Sequence, residues 1–523
     1  MNNHNPSQNT DYDAVVIGGS FSGASLAWLV KRQHPDARIL IIEKTKEFDR
    51  KVGESTSEVA GCFLTKVLRL GPHLSRKHVA KHGLHLWFND EKNTCPSRCT
   101  EVGPNYQVRL PTYQVSRSIL DQHLLDRSVG DGCELVRPAN VREIELSESD
   151  APHHITFRDG DGNDRTVSTK WIVDASGRAA LIARKRKTIK TVSDHPVNSI
   201  WVRFKNVRDF DSIEMDTDHP GVGTAGLAPR FNSTNHLVGF GWWCWLIPLE
   251  SGEMSAGLTW DSRFFTPDKE GRVSEQLKRH LVANPIGKAL FEHAEAVEND
   301  SRTYSSLPYY SSEPAGNRWI AIGDAAGFMD PLYSQGLDYC SHSTYIAAKI
   351  INGDLSSNCP KAGLAEYNRQ FVESYFRWFN ALYKDKYTYL GDADLMYAAF
   401  LLDLGSYFLG PVRLVYEKTD EEFSHMPYNG LGGRIFARFM ALYNRRLAHI
   451  ALKRRAAGTY GKNNLDKTKL VAEGFAPTLG AFKQVWRGTR YWLYAELDAL
   501  RLPNPQAQAV STPSTKDAEP ATV

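Results

Sequence analysis

Residues 12 to 23 read Tyr12-Asp-Ala-Val-Val-Ile17-Gly18-Gly19-Ser20-Phe21-Ser22-Gly23: a short apolar run that stops at a glycine turn. Ala24 to Gln33 continue with helical spacing, and a second apolar run, Arg38 to Ile42, ends at Glu43. Strand, tight turn, helix, strand and acid in that order are a dinucleotide-binding βαβ unit. The turn offers backbone N–H groups and the positive end of a helix to a pyrophosphate. Glu43, 20 residues after Gly23, is spaced to accept hydrogen bonds from a ribose. Ser20 holds the middle glycine position of G-x-G-x-x-G, so the backbone approaches the phosphate slightly less closely. Gly18, Ser20, Gly23 and Glu43 are therefore the expected cofactor contacts. A glycine pattern alone is weak evidence, but this one sits in its full βαβ context.

Outward from this start, Tyr106–Val115, His153–Phe157 and Arg165–Val173 read as strands, the last running into Asp174-Ala-Ser-Gly177-Arg178. Arg318–Ile322 is a further strand, leading into Gly323-Asp324-Ala-Ala-Gly327. That ending places the Asp324 carboxylate beside cofactor sugar or ribitol hydroxyls. Cys340 to Leu502 reads as mostly helical. Its many aromatics (Tyr375, Phe376, Trp378, Phe379, Tyr383, Tyr387, Tyr389) are expected in the helical core rather than in a binding stripe. Tyr397–Gly410 is the most apolar window, and Asp403 interrupts it, so it reads as a buried or substrate-covering helix. No internal repeat is present.

At 523 residues the chain exceeds one typical core, which predicts two domains or one elaborated domain. A net charge of +3 gives no reason to expect a nucleic-acid partner or an anionic membrane. Seven cysteines, an odd number, do not form a disulfide framework and fit reduced intracellular thiols. Cys95 and Cys99 have loose metal-like spacing, but no second Cys or His pair follows, so no metal site is expected. The first ten residues lack the features of a secretion signal, and no apolar run of about 18 residues predicts a membrane span. The expected location is cytoplasmic. Residues 1–10 and the Pro/Ala/Thr/Gln-rich tail 503–523 read as disordered.

Four further segments narrow the reading: Trp243-Cys-Trp245-Leu-Ile247-Pro248, Phe328-Met-Asp-Pro331-Leu-Tyr333-Ser334-Gln335-Gly336, Val52-Gly53-Glu54-Ser55-Thr56 and His78-Val-Ala-Lys81-His-Gly-Leu-His-Leu-Trp87. The first resembles the W-x-W-x-I-P motif of flavin-dependent halogenases. The second matches their F-x-x-P-x-x-S-x-G motif at every fixed position, and the third resembles their V-G-E-[AS]-T stretch. The fourth is similar to the stretch that holds the family's catalytic lysine. The likeness, within the wider aromatic-hydroxylase superfamily, spans residues 11 to about 350.

The resemblance implies an α/β fold: a Rossmann-like FAD-binding domain with an interleaved mixed β-sheet substrate region over residues 11–350, then a mainly helical, substrate-covering part over 351–502. It adds Gly53, Glu54, Ser55, Arg117, Asp324 and Gly327 to the FAD contacts. It places halide at Gln335 and Gly336, makes Lys81 catalytic, and sets Trp243, Trp245, Phe328, Pro331, Tyr333 and Ser334 in the active-site wall. For Trp243 and Trp245, alternation on a strand also predicts plain core packing.

The implied chemistry uses FADH2 and O2 to form a flavin C4a-hydroperoxide. Chloride or bromide attacks it, and the hypohalous acid passes to Lys81, which presents the halogen to an electron-rich ring. Tryptophan-type members carry Glu where Tyr333 stands, so an activated ring, above all a phenol, is the expected substrate, free or tethered to a carrier protein. With no second nucleotide fingerprint, a separate NAD(P)H-dependent flavin reductase is the expected partner. A monooxygenase or oxidoreductase of the same fold without halogenation is the alternative reading, and an inactive flavoprotein scaffold a third.

Overall fold

The structure, a computed structural model, describes residues 10–104, 110–212, 230–357, 363–471 and 479–503. The opening run forms β1 (Tyr12–Ile17), followed by α1 (Phe21–Gln33) and β2 (Ile39–Ile42). Both strands are buried along nearly their whole length, as parallel strands covered on two faces must be. β1 pairs in parallel with β2 on one side and with Asp164–Asp174 on the other. Glu134–Val136 continues the sheet beyond β2, and Trp319–Ala321 continues it beyond Asp164–Asp174. Numbered along the chain, the parallel strands lie in the order 3-2-1-4-5. The order reverses beside β1, which opens a crevice at the strands' carboxyl ends where such sheets bind ligands.

A second sheet of nine strands supports the rest of the site. Its main path places Val197–Lys205, Met254–Asp261, Trp242–Pro248, Thr234–Gly239, Leu84–Phe88 and Thr100–Pro104 side by side. Its strands come from segments that alternate along the chain with those of the first sheet, so the two regions are interleaved. Thr468–Val471 pairs in parallel with Thr100–Pro104 at the edge. The C-terminal third, expected to be mostly helical, also contributes this strand. Four residues carry too little alternation to show themselves in sequence, and their strand state comes from the edge they join.

The helices that shape the site are α2 (Glu58–Cys62), α3 (Arg117–Gly130), α4 (Gly336–Ser357), α5 (Leu364–Leu382), α6 (Ala393–Tyr407), α7 (Gly430–Ala456) and α8 (Leu479–Ala499). α6 is buried nearly all round, as an all-apolar helix should be. The segment Ala393–Glu417 is long and apolar enough to cross a membrane, but 83% of its apolar window is buried. The aromatics of α5 and the turn after it are core, as expected: Tyr375, Trp378, Tyr387 and Tyr389 are almost fully buried. Within Tyr106–Val115, residues 106–109 lie outside the described residues, and Tyr113–Gln114 is a short strand paired with Val79–Ala80. Residues 1–9, 504–523 and Cys359 also lie outside them. The six described cysteines are free thiols.

Candidate active site

The glycine turn closes tightly. At Gly18 (φ +101°) a Cβ would stand 2.4 Å from the Ala175 carbonyl oxygen, and at Gly23 a Cβ would stand 1.9 Å from the Gly18 oxygen. Neither position admits a side chain. Glu43 Oε2 accepts the Gly19 N–H at 2.8 Å, and its Oε1 accepts from the Thr45 amide and hydroxyl. The acid expected to face a ribose thus also pins the turn. Ser20 caps the start of α1 with its backbone, and Lys51 Nζ donates to its hydroxyl at 3.3 Å.

Across the crevice, Gly323 adopts φ +55°, and Asp324 follows at the end of Trp319–Ala321. Among the described residues the Asp324 carboxylate meets only the weak Cys340 thiol donor, at 3.9 Å. It is free for stronger donors, such as ribitol hydroxyls. Gly327 lies on a two-residue strand against Tyr309–Tyr310. A turn that admits no side chain at Gly18 or Gly23, set at a helix N-terminus across the crevice from an acid without strong partners, fits the pyrophosphate and ribitol of FAD.

Gly53 (φ +91°) leaves room for Arg117, whose Nη1 would lie 2.7 Å from a Cβ there. Arg117 donates to Val52 O and forms a two-point pair with Asp121 at 3.1 and 3.0 Å. That acid is buried. Glu54 Oε1 accepts two hydrogen bonds from Arg203, at 3.0 and 2.6 Å. Ser55 Oγ lies 2.9 Å from Thr234 Oγ1. Glu54 and Ser55 therefore tie the cofactor half to the second sheet.

Lys81 follows the short strand Val79–Ala80 and is only 5% exposed. Its Nζ donates to Thr56 O at 2.8 Å. Burial pulls the amine down to about 8, against the opposing charges of Glu58 and Asp338. It lines a cavity of about 80 Å³ whose walls include Leu84, Pro104, Leu382, Phe400, Leu404 and Phe408. Glu58, the first residue of α2, faces the same cavity, and among the described residues no side chain hydrogen-bonds its carboxylate. Burial raises Glu58, and the Lys81 charge lowers it. Asp338 braces this corner: its carboxylate accepts from the Ser57 hydroxyl, the Ala60 amide (2.9 Å) and the Tyr407 hydroxyl (3.0 Å). Burial pushes it up to about 7.

The Phe328–Gly336 loop reaches the cavity through Tyr333 and Gln335. Tyr333 (φ +67°) and Ser334 (φ +62°) both hold left-handed backbone, which costs a non-glycine residue about 1–3 kcal/mol. The surroundings hold them there. Tyr333 Oη donates to Asp403 Oδ2 at 2.9 Å, where Lys386 Nζ also donates at 2.6 Å, and Tyr443 donates to the other oxygen. Gln335 Oε1 accepts from Trp378 Nε1 at 2.7 Å and Tyr383 Oη at 3.0 Å. Core aromatics thus also orient this loop. Gly336 opens α4, where the first helical amides have no intrahelical acceptor.

The two indoles stand behind the loop on one face of Trp242–Pro248, with ring centroids 5.8 Å apart. Trp243 Nε1 donates to Tyr387 Oη, which donates to Asp330 Oδ2 at 2.9 Å. Trp245 Nε1 donates to Ser255 Oγ. Neither indole lines the Lys81 cavity, nor do Phe328, Pro331 and Ser334. Tyr333 is the one expected wall residue that does. Cys95 pairs with Ser97 Oγ, and no metal-binding group of three His, Cys, Asp or Glu exists among the described residues.

Sequence reading missed Glu58, Asp338 and Lys386. Asp403 was visible only as a charge inside an apolar run, and nothing in its spacing showed the lysine it meets.

The family model described as tryptophan halogenase matches residues 89–386. The chain belongs to that family, enzymes that halogenate their substrates with the help of a flavin, and its cofactor is FAD. A flavin-dependent halogenase of Dictyostelium discoideum is 26% identical over 467 residues, 79% of this chain and 74% of that protein. The sulochrin halogenase of Aspergillus terreus is 25% identical over 387 residues, 70% and 67% of the two chains. The crystal structure of the halogenase PltM shares the fold, with a TM-score of 0.73 at 16% identity over 93% of this chain and 96% of that one.

Proposed function

We propose that this enzyme chlorinates or brominates a phenol at Lys81. The observation that carries the reading is a buried amine and a carboxylate that no side chain hydrogen-bonds, both facing one small apolar cavity. With O2 and halide, reduced FAD supplies the hypohalous acid. The open amides around Gln335 and Gly336 hold the halide. With Lys81 near 8, ammonium and free amine coexist around neutrality. Nζ then either hydrogen-bonds the hypohalous acid or, as free amine, takes its halogen to form a haloamine with release of water, and in both forms it faces the ring. Glu58 takes the proton that the ring carbon loses on substitution. Leucine and phenylalanine walls keep water and stray oxidant away from the transfer. Trp243 and Trp245 stiffen the wall behind the loop, as packing more than as catalysts.

A phenol suits the site because Tyr333 stands where tryptophan-type members carry Glu, and an activated ring needs less help. PltM has been solved in complex with phloroglucinol, a phenol, and FAD. A separate NAD(P)H-dependent reductase provides the reduced flavin, in the cytoplasm, where the free thiols stay reduced. Incubation with a flavin reductase, NADH, oxygen, bromide and a panel of phenols should give ring-brominated products by mass. Only hydroxylated or unchanged phenols across the panel would overturn the proposal and favour a monooxygenase or an inactive flavoprotein.

A further inference from the structure

Of fifteen exposed large apolar side chains on the described surface, twelve lie on α7, α8 and Leu500 just beyond α8. Leu479, Phe482, Trp486 and Leu493 recur along one face of α8, each more than half exposed. The opposite face is small: a Cβ at Gly488 would stand 2.7 Å from the Leu402 side chain of α6. α8 therefore packs on α6 through its small residues and turns its large ones to solvent, the reverse of an ordinary surface helix. α7 lies alongside, joined by the Arg446–Glu496 pair at 2.6 Å and by Trp492 packed on Phe439.

The charge on these helices is as lopsided. α7 carries seven Arg and Lys and no acid in 27 residues. α8 adds Lys483, Arg487 and Arg490 against Glu496 and Asp498. Ten bases against two acids give these two helices +8, in a chain whose total is +3, with one of the ten, Arg454, buried against Asp392. Both acids are already engaged, Glu496 with Arg446 and Asp498 with Arg454 and Lys462. The overall charge, which gave no reason to expect an anionic membrane, conceals this segregation.

We propose that the α7–α8 face docks this enzyme on an anionic lipid surface. Leucine, phenylalanine and tryptophan on one helical face enter the boundary between headgroups and acyl chains, while the flanking lysines and arginines meet negative headgroups. A second copy is a poorer occupant, because it would bring two basic faces together. The docking face lies one helix from the site: α6 meets α8 through Leu401 and Leu402 and lines the Lys81 cavity through Phe400, Leu404 and Tyr407.

The test is co-sedimentation of the full chain with phosphatidylcholine vesicles, with and without phosphatidylserine. Binding should require phosphatidylserine and weaken with added salt. Phe482→Glu combined with Trp486→Glu should reduce it at least about tenfold, and Lys483→Ala about fivefold. All three positions are exposed, so thermal stability and the flavin absorbance should match the unaltered enzyme. Failure to bind either vesicle, or binding that the variants leave unchanged, overturns the proposal. So does retention on polyglutamate without binding to vesicles, or a dimer in plain buffer that Phe482→Glu with Trp486→Glu dissociates.

Discussion

Lys81 is a costly residue to bury. An unfolded lysine titrates near 10.5, and this one is drawn down to about 8, so at pH 7 the folded chain must hold a charge in an apolar wall. The cost is full below about pH 8 and fades as pH rises towards 10.5, because free amine then fills both states. Lys81→Met should therefore raise stability at pH 7 by about 3 kcal/mol, and by less than half of that at pH 9.5. Denaturant unfolding at the two pH values checks both the gain and its narrowing. Glu58 tests the same corner by rate: Glu58→Gln should slow bromination about 10²-fold and leave flavin affinity unchanged, as steady-state kinetics with a flavin titration would show. Of this corner only Lys81 was legible beforehand, through its motif. Glu58 sits in a segment whose glycine and Glu54 drew attention to the flavin, and what makes it matter is a fold that sets it against Lys81, 23 positions away.

At the scale of elements, α6 and the Phe328–Gly336 loop lock each other. The left-handed backbone at Tyr333 and Ser334 persists because Asp403, from the middle of α6, takes the Tyr333 hydroxyl. The same carboxylate neutralises Lys386, which is fully buried. Asp403→Asn leaves that ammonium without its counter-charge and should cost about 3–5 kcal/mol, read as a lowered denaturation midpoint with unchanged slope. Tyr333→Phe removes one hydrogen bond and should cost about 1 kcal/mol, raising the KM for the phenol more than it lowers kcat. The glycine turn is the opposite case, an element legible outright. Its strand, turn and helix follow from local spacing, and the position of Gly23 allows no Cβ. The Asp403–Lys386 pair joins residues 17 positions apart across a helix start and a turn, and no period links them.

For the whole molecule, local pattern reached as far as the parallel sheet and stopped there. β1 and β2 appear as apolar runs because both faces of a parallel strand are buried. The second sheet draws its strands from several segments, and its edge strand comes from Thr468–Val471, a pairing of high sequence separation that no window contains. The cavity forms where these parts meet: Lys81 before one strand of the second sheet, Glu58 on α2, Tyr333 from the loop after the first sheet, and Phe400 and Leu404 from α6. The proposed halogen transfer from Lys81 takes place there. Its most direct test compares the unaltered enzyme with Lys81→Ala, both loaded with FAD and supplied with reductase, NADH, oxygen, bromide and a phenol that the unaltered enzyme brominates. Mass spectrometry should show brominated phenol falling at least about 10²-fold in the variant, while reduced flavin is still consumed at the normal rate. Bromination persisting within about tenfold of the unaltered enzyme, at equal flavin occupancy, would contradict the account.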